Sequence, residues 1–311
     1  MIHSVGELRF YLFLAGMGTG ANWSVPTATI QRWFFRRKRA GLALAVAIAG
    51  IGSGALVFAP IVSALIQTFG WRIAYFTIGI IFFVTVSLST LVVKSSPPEP
   101  DTMSKSGQSL PDFSKTWGWT TRKAVITPAF LAVTFQFCIS DLSFGVVTVH
   151  FVPHAIDAGI SAAAAATALG FIGGISVPGR LASGFISEQL SWQKALVFSS
   201  FGMSLAFVWL ILLNSMWTLY LFVVMYGVFF GIRAPAQIGI LSDYFGTRAL
   251  GELIGITGAA SVVVGAAAPY IAGFIYDTTG SYFWAFIMAA AALASAGAVA
   301  YLLRKPALPT Q

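Results

Sequence analysis

Nine apolar segments, at roughly 8–34, 41–69, 71–93, 126–152, 162–186, 195–213, 216–241, 250–276 and 282–303, arrive along the chain as three followed by six. A helix needs about 20 apolar residues to cross a bilayer. Several segments exceed that length, which leaves room for tilt or protrusion. Of 311 residues, 57% are hydrophobic and only 9% charged, with mean hydropathy +0.83. No water-facing surface of this size tolerates such a composition. The pattern predicts an all-α integral membrane protein with nine transmembrane helices.

The net charge of +8 and pI near 9.8 would point to nucleic acid in a soluble protein. Here the basic residues fall in short loops between apolar runs, so they read as topology determinants. The bilayer is the expected partner and nucleic acid is not. With Arg36, Arg37, Lys38 and Arg39 placed in the cytoplasm, Lys94, Lys105, Lys115, Arg122, Lys123, Lys194, Arg248, Arg304 and Lys305 fall on the same side. Only Arg9 and Arg72 fall opposite. The lysine and arginine bias therefore predicts a multi-pass protein of the plasma or inner membrane, amino terminus outside and carboxyl terminus cytoplasmic. The first apolar run is too long for a signal-peptide core and ends in a basic cluster, so it is read as a membrane helix. Cys138, the single cysteine, can form no internal disulfide.

The one long polar stretch, 95–123, opens with Ser95-Ser96-Pro97-Pro98-Glu99-Pro100. Its Pro, Ser and charge content reads as a cytoplasmic linker between a unit at 1–94 and a six-helix unit at 124–311. The first unit repeats within the second. Gly16-x-x-x-Gly20 matches Gly227-x-x-x-Gly231, Trp33-Phe34 matches Tyr244-Phe245, and Gly41, Pro60 and Gly70 match Gly251, Pro269 and Gly280, all at offsets of 209 to 211 residues. An offset held across three helices and two loops identifies an internal duplication. Because the last three of six helices match the first three of the chain, a six-plus-six plan is expected, with three helices preceding Met1.

The chain resembles the major facilitator superfamily, and within it the monocarboxylate transporters and oxalate/formate antiporters. The likeness is carried by Arg32-Trp33-Phe34 with the basic cluster and Ala40-Gly41-Leu42-Ala43, by Gly70-Trp71-Arg72, Gly159-Ile160-Ser161, Gly179-Arg180-Leu181-Ala182-Ser183-Gly184 and Asp243-Tyr244-Phe245-Gly246. It implies two six-helix lobes, a truncated amino-terminal one (1–94) and a complete carboxyl-terminal one (124–311), with substrate near the bilayer midplane. In the family the first helix lines the transport path, so the resemblance implies that this stretch alone lacks part of that path.

Ionisable groups at membrane depth are costly and are functional candidates by default. Arg233 lies on the order of 15 Å of helix from the cytoplasmic end of its span, Asp141 sits mid-span, and Arg180 lies about 12 Å inside the edge marked by Glu188. Arg233 occupies the repeat position of Asn22, so the two are expected to face each other across a central cavity. A guanidinium suits a bidentate grip on carboxylate; pairing of Arg233 with Asp141 as a structural bridge is the other reading. Two arginines and one aspartate leave one net positive charge, which suits a monoanion. By its Gly-Arg context Arg180 matches the arginine that monocarboxylate transporters carry on their eighth helix. Those proteins have an aspartate one turn earlier where this chain has Ser176, so Asp141 is the acid left for coupling to a proton.

Arg233, Arg180, Asn22, Trp23 and Gln237 are the expected substrate-binding residues. The family's gating motif resembles Gly239-x-x-x-Asp243-x-x-Gly246-x-Arg248, and Gly184-x-x-x-Glu188 matches its first half. Asp243, Arg248 and Glu188 are the expected gate residues, each acid meeting a helix dipole or a neighbouring arginine. The glycine cluster at 50–54 lies within a span and reads as close helix packing. His150 and His154, four apart on one face, lack enough nearby ligands for a metal site. No cofactor motif and no paired-carboxylate, triad or metal-ligand constellation points to an enzyme. The leading expectation is secondary transport of a small organic anion by alternating access, with a proton or a second anion as coupled partner. A transporter for another small molecule and a non-transporting membrane sensor are the alternatives.

Overall fold

A computed structural model describes residues 4–34, 39–94 and 118–307. These residues form helices α1 (Val5–Phe34), α2 (Ala40–Val92), α3 (Thr121–Ala124), α4 (Pro128–Asp157), α5 (Ala162–Gln189), α6 (Trp192–Ile211), α7 (Met216–Phe245), α8 (Leu250–Thr279) and α9 (Phe283–Leu302). Among the described residues the one piece of β-pairing is an isolated bridge between Gly118 and Gly246.

Helix starts follow from local sequence. The hydroxyls of Thr127, Ser161 and Ser191 accept from the backbone N–H groups of Phe130, Ala164 and Lys194. Ser215 and Thr218 form a reciprocal capping box at the head of α7. Each device satisfies donors that the first helical turn leaves free.

Seven stretches among the described residues are long and apolar enough to cross a membrane: 60–92 in α2, and α4 through α9 apart from their connections. The protein is a multi-pass membrane protein. The expected nine spans are not all recovered by this measure: 40–54 is a shorter apolar stretch, and α1, which carries Glu7, Arg9 and Asn22, is not among the seven.

Helix ends fall at the matched positions of the repeat. Helices α1 and α7 each run 30 residues and stop at Phe34 and Phe245, the matched positions. Further on, α2 breaks at Gly70 (φ 79°) where α8 ends at Gly280 (φ 68°). A positive φ strains any side-chain-bearing residue, which accounts for glycine at both points. Pro60 lies inside α2 without interrupting it, and the interruption is at Gly70.

Packing of α4 on α8, α5 on α7 and α6 on both α7 and α9 builds the carboxyl-terminal bundle, and α2 lies along α5. Of the expected linker, 95–117 lies outside the described residues, as do Arg36, Arg37 and Lys38. Its final part is pinned: Trp119 donates its backbone N–H to the Phe245 carbonyl at 2.9 Å, and Thr121 donates its hydroxyl to Glu252.

Candidate functional site

The site is built where α4, α5 and α7 carry their polar residues between apolar turns. Arg233 of α7 donates from Nη1 to Asp141 Oδ1 of α4 at 2.8 Å. Its guanidinium carbon also sits 4.7 Å from the centroid of the Phe230 ring, one turn back. The cation is thus held by a carboxylate and an aromatic face. Arg180 of α5 is 4% exposed and reaches across to α2, donating from Nη1 to the Ile48 carbonyl at 2.9 Å. The Nε atoms of both arginines are buried without a hydrogen-bond partner. Both residues border one space, where two guanidinium charges suit an anion.

That space has two compartments sharing Arg233 and Ala234. One, of about 490 Å³, faces α1 and α8 and is lined by Ser24, Asp141, Gln237, Gly258 and Ser261 among others. The other, of about 460 Å³, faces α2 and α5 and is lined by Arg180, Gly52, Phe144, Phe230 and Leu169 among others. Both arginines therefore border the second compartment, and Asp141 and Gln237 border the first.

A polar network missed by the sequence reading supports the first compartment. Gln237 donates to Gln136 at 2.9 Å, and Gln136 donates to Ser140 at 3.2 Å and Ser200 at 3.3 Å. Gln136, 0% exposed, was legible as a lone amide in an apolar run one turn before Ser140. The Phe144–Phe230 stack, with centroids 5.0 Å apart, gave no such signal among 27 phenylalanines.

The remaining expected residues divide. Ser24 places α1 on the far wall from Arg233, but the side chains of Asn22 and Trp23 lie outside the described ones. Glu188 accepts from the Leu42 backbone N–H at 3.1 Å, an acid at the first turn of a helix from the other unit. Asp243 pairs with Lys305 at 2.7 Å, a residue just beyond α9 rather than an arginine on a neighbouring helix. Arg248 is exposed in the turn between α7 and α8. His150 and His154 both meet backbone carbonyls, those of Pro269 at 2.8 Å and Leu210 at 3.1 Å, and so stitch α4 to α8 and α6.

The glycines between these elements decide how closely the two units meet. A Cβ on Gly52 would lie 2.7 Å from the Gly173 carbonyl, and one on Gly41 would lie 3.1 Å from the Gly184 carbonyl. Helices α2 and α5 therefore touch backbone to backbone over about 16 Å of helix. About one turn before Gly173, Gly170 meets nothing within 4 Å, and no described residue of α2 between 57 and 73 is buried. The units are closed together at the end carrying Glu188 and separate beyond Gly52.

Comparison with known sequences agrees with this architecture. The model of the Major Facilitator Superfamily matches residues 1–214 and 194–311. The chain belongs to that family. Over 320 residues it is 27% identical to monocarboxylate transporter 11 of Homo sapiens, covering 97% of this chain and 64% of that protein. It is 26% identical to monocarboxylate transporter 12 of Homo sapiens over 88% of this chain and 58% of that protein. With monocarboxylate transporter 13 of Rattus norvegicus it shares 25% identity over 93% of this chain. The chain thus spans about 60% of the length of the two human relatives. The superfamily's character is that of transporters rather than enzymes.

Proposed function

We propose that the protein takes part in secondary transport of a small organic anion of the monocarboxylate type, by alternating access between units at 1–94 and 124–311 joined by a cytoplasmic linker at 95–123. The observation that supports this reading is the pair of arginines, Arg180 and Arg233, lining one cavity. A guanidinium edge matches one carboxylate. With Asp141 balancing Arg233, one positive charge is left for a monoanion. Gln237 of α7 lines the wall, Asn22 and Trp23 of α1 are proposed as further substrate contacts, and Asp141 carries a proton or tunes the charge. The relatives named above as monocarboxylate transporters support the same class of guest.

Closure at one end supports alternating access. Beyond Gly52, α2 leaves α5, so the conformer is shut at the Glu188 end and parted toward the other. The basic end faces the cytoplasm in this reading, with Glu188, Asp243 and Arg248 as the residues that rearrange when that side opens. A proton or an exchanged anion is the coupled partner.

The test is uptake of labelled lactate, pyruvate, formate or oxalate into vesicles carrying the full-length protein. Arg233→Ala and Arg180→Ala are each expected to lower uptake about 10-fold or more, since hydrogen bonds to charged groups contribute roughly 1.5–3 kcal/mol. Unchanged uptake in both variants would overturn the site assignment. Equal uptake of neutral analogues would favour a transporter of another guest.

A further inference from the structure

The compartment shared by the two arginines is almost entirely hydrocarbon away from them. Thr148, the one other polar side chain on its wall, donates its hydroxyl to the Phe144 carbonyl at 2.9 Å. Apart from glycine backbone and Ala234, the rest of the wall is aliphatic or aromatic, with Phe144 and Phe230 stacked at an interplanar angle of 14°. Phe230 already lies between neighbours, since Tyr226 stacks on it at 5.9 Å and Arg233 covers it. Phe144 is 41% exposed and so keeps a ring face free.

A volume of about 460 Å³ belongs to the range, roughly 300–1,000 Å³, of cavities that enclose guests well beyond a three-carbon acid. Lactate or formate bound to the guanidinium edges would leave most of this apolar wall facing empty space or water. An apolar body fills it, at about fourfold in affinity for each buried methylene. Ring against ring adds a preference over aliphatic chains of the same size.

We propose that this compartment takes an aryl-bearing monocarboxylate, its carboxylate held by the guanidinium groups of Arg180 and Arg233 and its ring against Phe144. The proposal rests on the carboxylate reading above and narrows it. Phe144 is then a specificity-determining residue, and the short acids are the weaker guests.

The experiment is competition in vesicles carrying the full-length protein, with labelled lactate as tracer and phenylacetate, lactate and benzyl alcohol as competitors. Binding of the same three to the detergent-solubilised protein is measured by shift in melting temperature. Phenylacetate is expected to act at 10-fold or more lower concentration than lactate, and benzyl alcohol to act weakly. In Phe144→Leu, which keeps apolar volume but removes the ring, the ratio is expected to fall to about threefold or less, with Phe144→Ala as the second variant. The melting curve without ligand reports that each variant is folded. Equal potency of phenylacetate and lactate, equal potency of benzyl alcohol and phenylacetate, or a ratio unchanged in both variants would each overturn the proposal. Those outcomes leave the general anion reading standing if lactate uptake still needs Arg180 and Arg233. Absence of binding and uptake for every carboxylate overturns both.

Discussion

The first turns of α2 and α8 occupy matched positions in the duplication, yet they meet the rest of the molecule at different closeness. At the head of α2, Gly41 packs against Ser187 and the Gly184 carbonyl, and the Leu42 N–H is taken up by Glu188 of the other unit. At the head of α8, a Cβ on Gly251 would find only Ala28 of α1, 3.9 Å away, and Glu252, the repeat mate of Leu42, is bonded to Thr121 at the end of the 95–123 stretch. One copy of the motif meets a facing helix backbone to backbone, and the other meets α1 only at the ordinary separation of Ala28. Duplication fixes where helices begin and end, whereas the partner helix decides whether a given glycine is a contact or an open position.

The largest expected effect falls where the tight α2–α5 contact meets the cavity. Arg180 spans both, because its Nη1 holds the Ile48 carbonyl while the residue also lines the compartment. Arg180→Lys therefore tests more than charge. An ammonium is a point charge without a planar fork, so uptake of a carboxylate is expected to drop by about 10-fold or more on the scale of a charged hydrogen bond. Retention of full uptake in Arg180→Lys would show that only positive charge is needed there.

Gly52→Ala and Gly258→Ala then compare the two contacts with the same added methyl group. In α2 the new Cβ meets a backbone carbonyl at 2.7 Å and Val177 at 2.9 Å, neither of which moves without shifting a helix. Overpacking of that kind costs about 1–3 kcal/mol. The measurement is the distance distribution between spin labels at Val46 and Phe185, exposed positions on either side of the α2–α5 contact, which is expected to broaden toward longer distances. Gly258 on α8 meets nothing within 4 Å. There the substitution is expected to raise stability by about 0.5–1 kcal/mol through helix propensity alone, seen as a higher melting temperature. The same sign for both would break the contrast between the two contacts.

The sequence carried the helix ends and the duplication because both rest on local chemistry: apolar runs, hydroxyl caps and glycines at positive φ such as Gly70 and Gly280. Arg233, Arg180 and Asp141 were also legible, since charge within an apolar run is conspicuous, and both readings of Arg233 named at that stage bear on the result: it is paired with Asp141 and it borders a cavity. The contact between Arg180 and Ile48 was not legible, because a backbone carbonyl has no signature in sequence. Phe144 and Phe230 were equally hidden, since their value depends on which helices stand beside them. Glu188 was found through its spacing from Gly184, but its partner, the head of α2, is defined only by the packing of one unit on the other.

The smallest expected effect isolates that last contact. Glu188 caps a helix whose own preceding residue, Arg39, offers no side-chain cap, so it supplies both an acceptor and a negative charge to the positive end of α2. Glu188→Gln keeps an oxygen that can accept from Leu42 and removes only the charge, which is expected to cost about 0.3–1 kcal/mol at this exposed site. Glu188→Ala removes both and is expected to cost more, on the order of 0.5–2 kcal/mol as for other helix caps. Only the charge component is screened, so the gap between Glu188 and Glu188→Gln should close as salt is raised toward 1 M, where the screening length shrinks to about 3 Å, while the gap to Glu188→Ala persists. Spin-label distances between Val46 and Phe185 at low and high salt read this directly. A wild-type distribution in Glu188→Ala at both salts would mean that the glycine contacts alone hold α2 to α5.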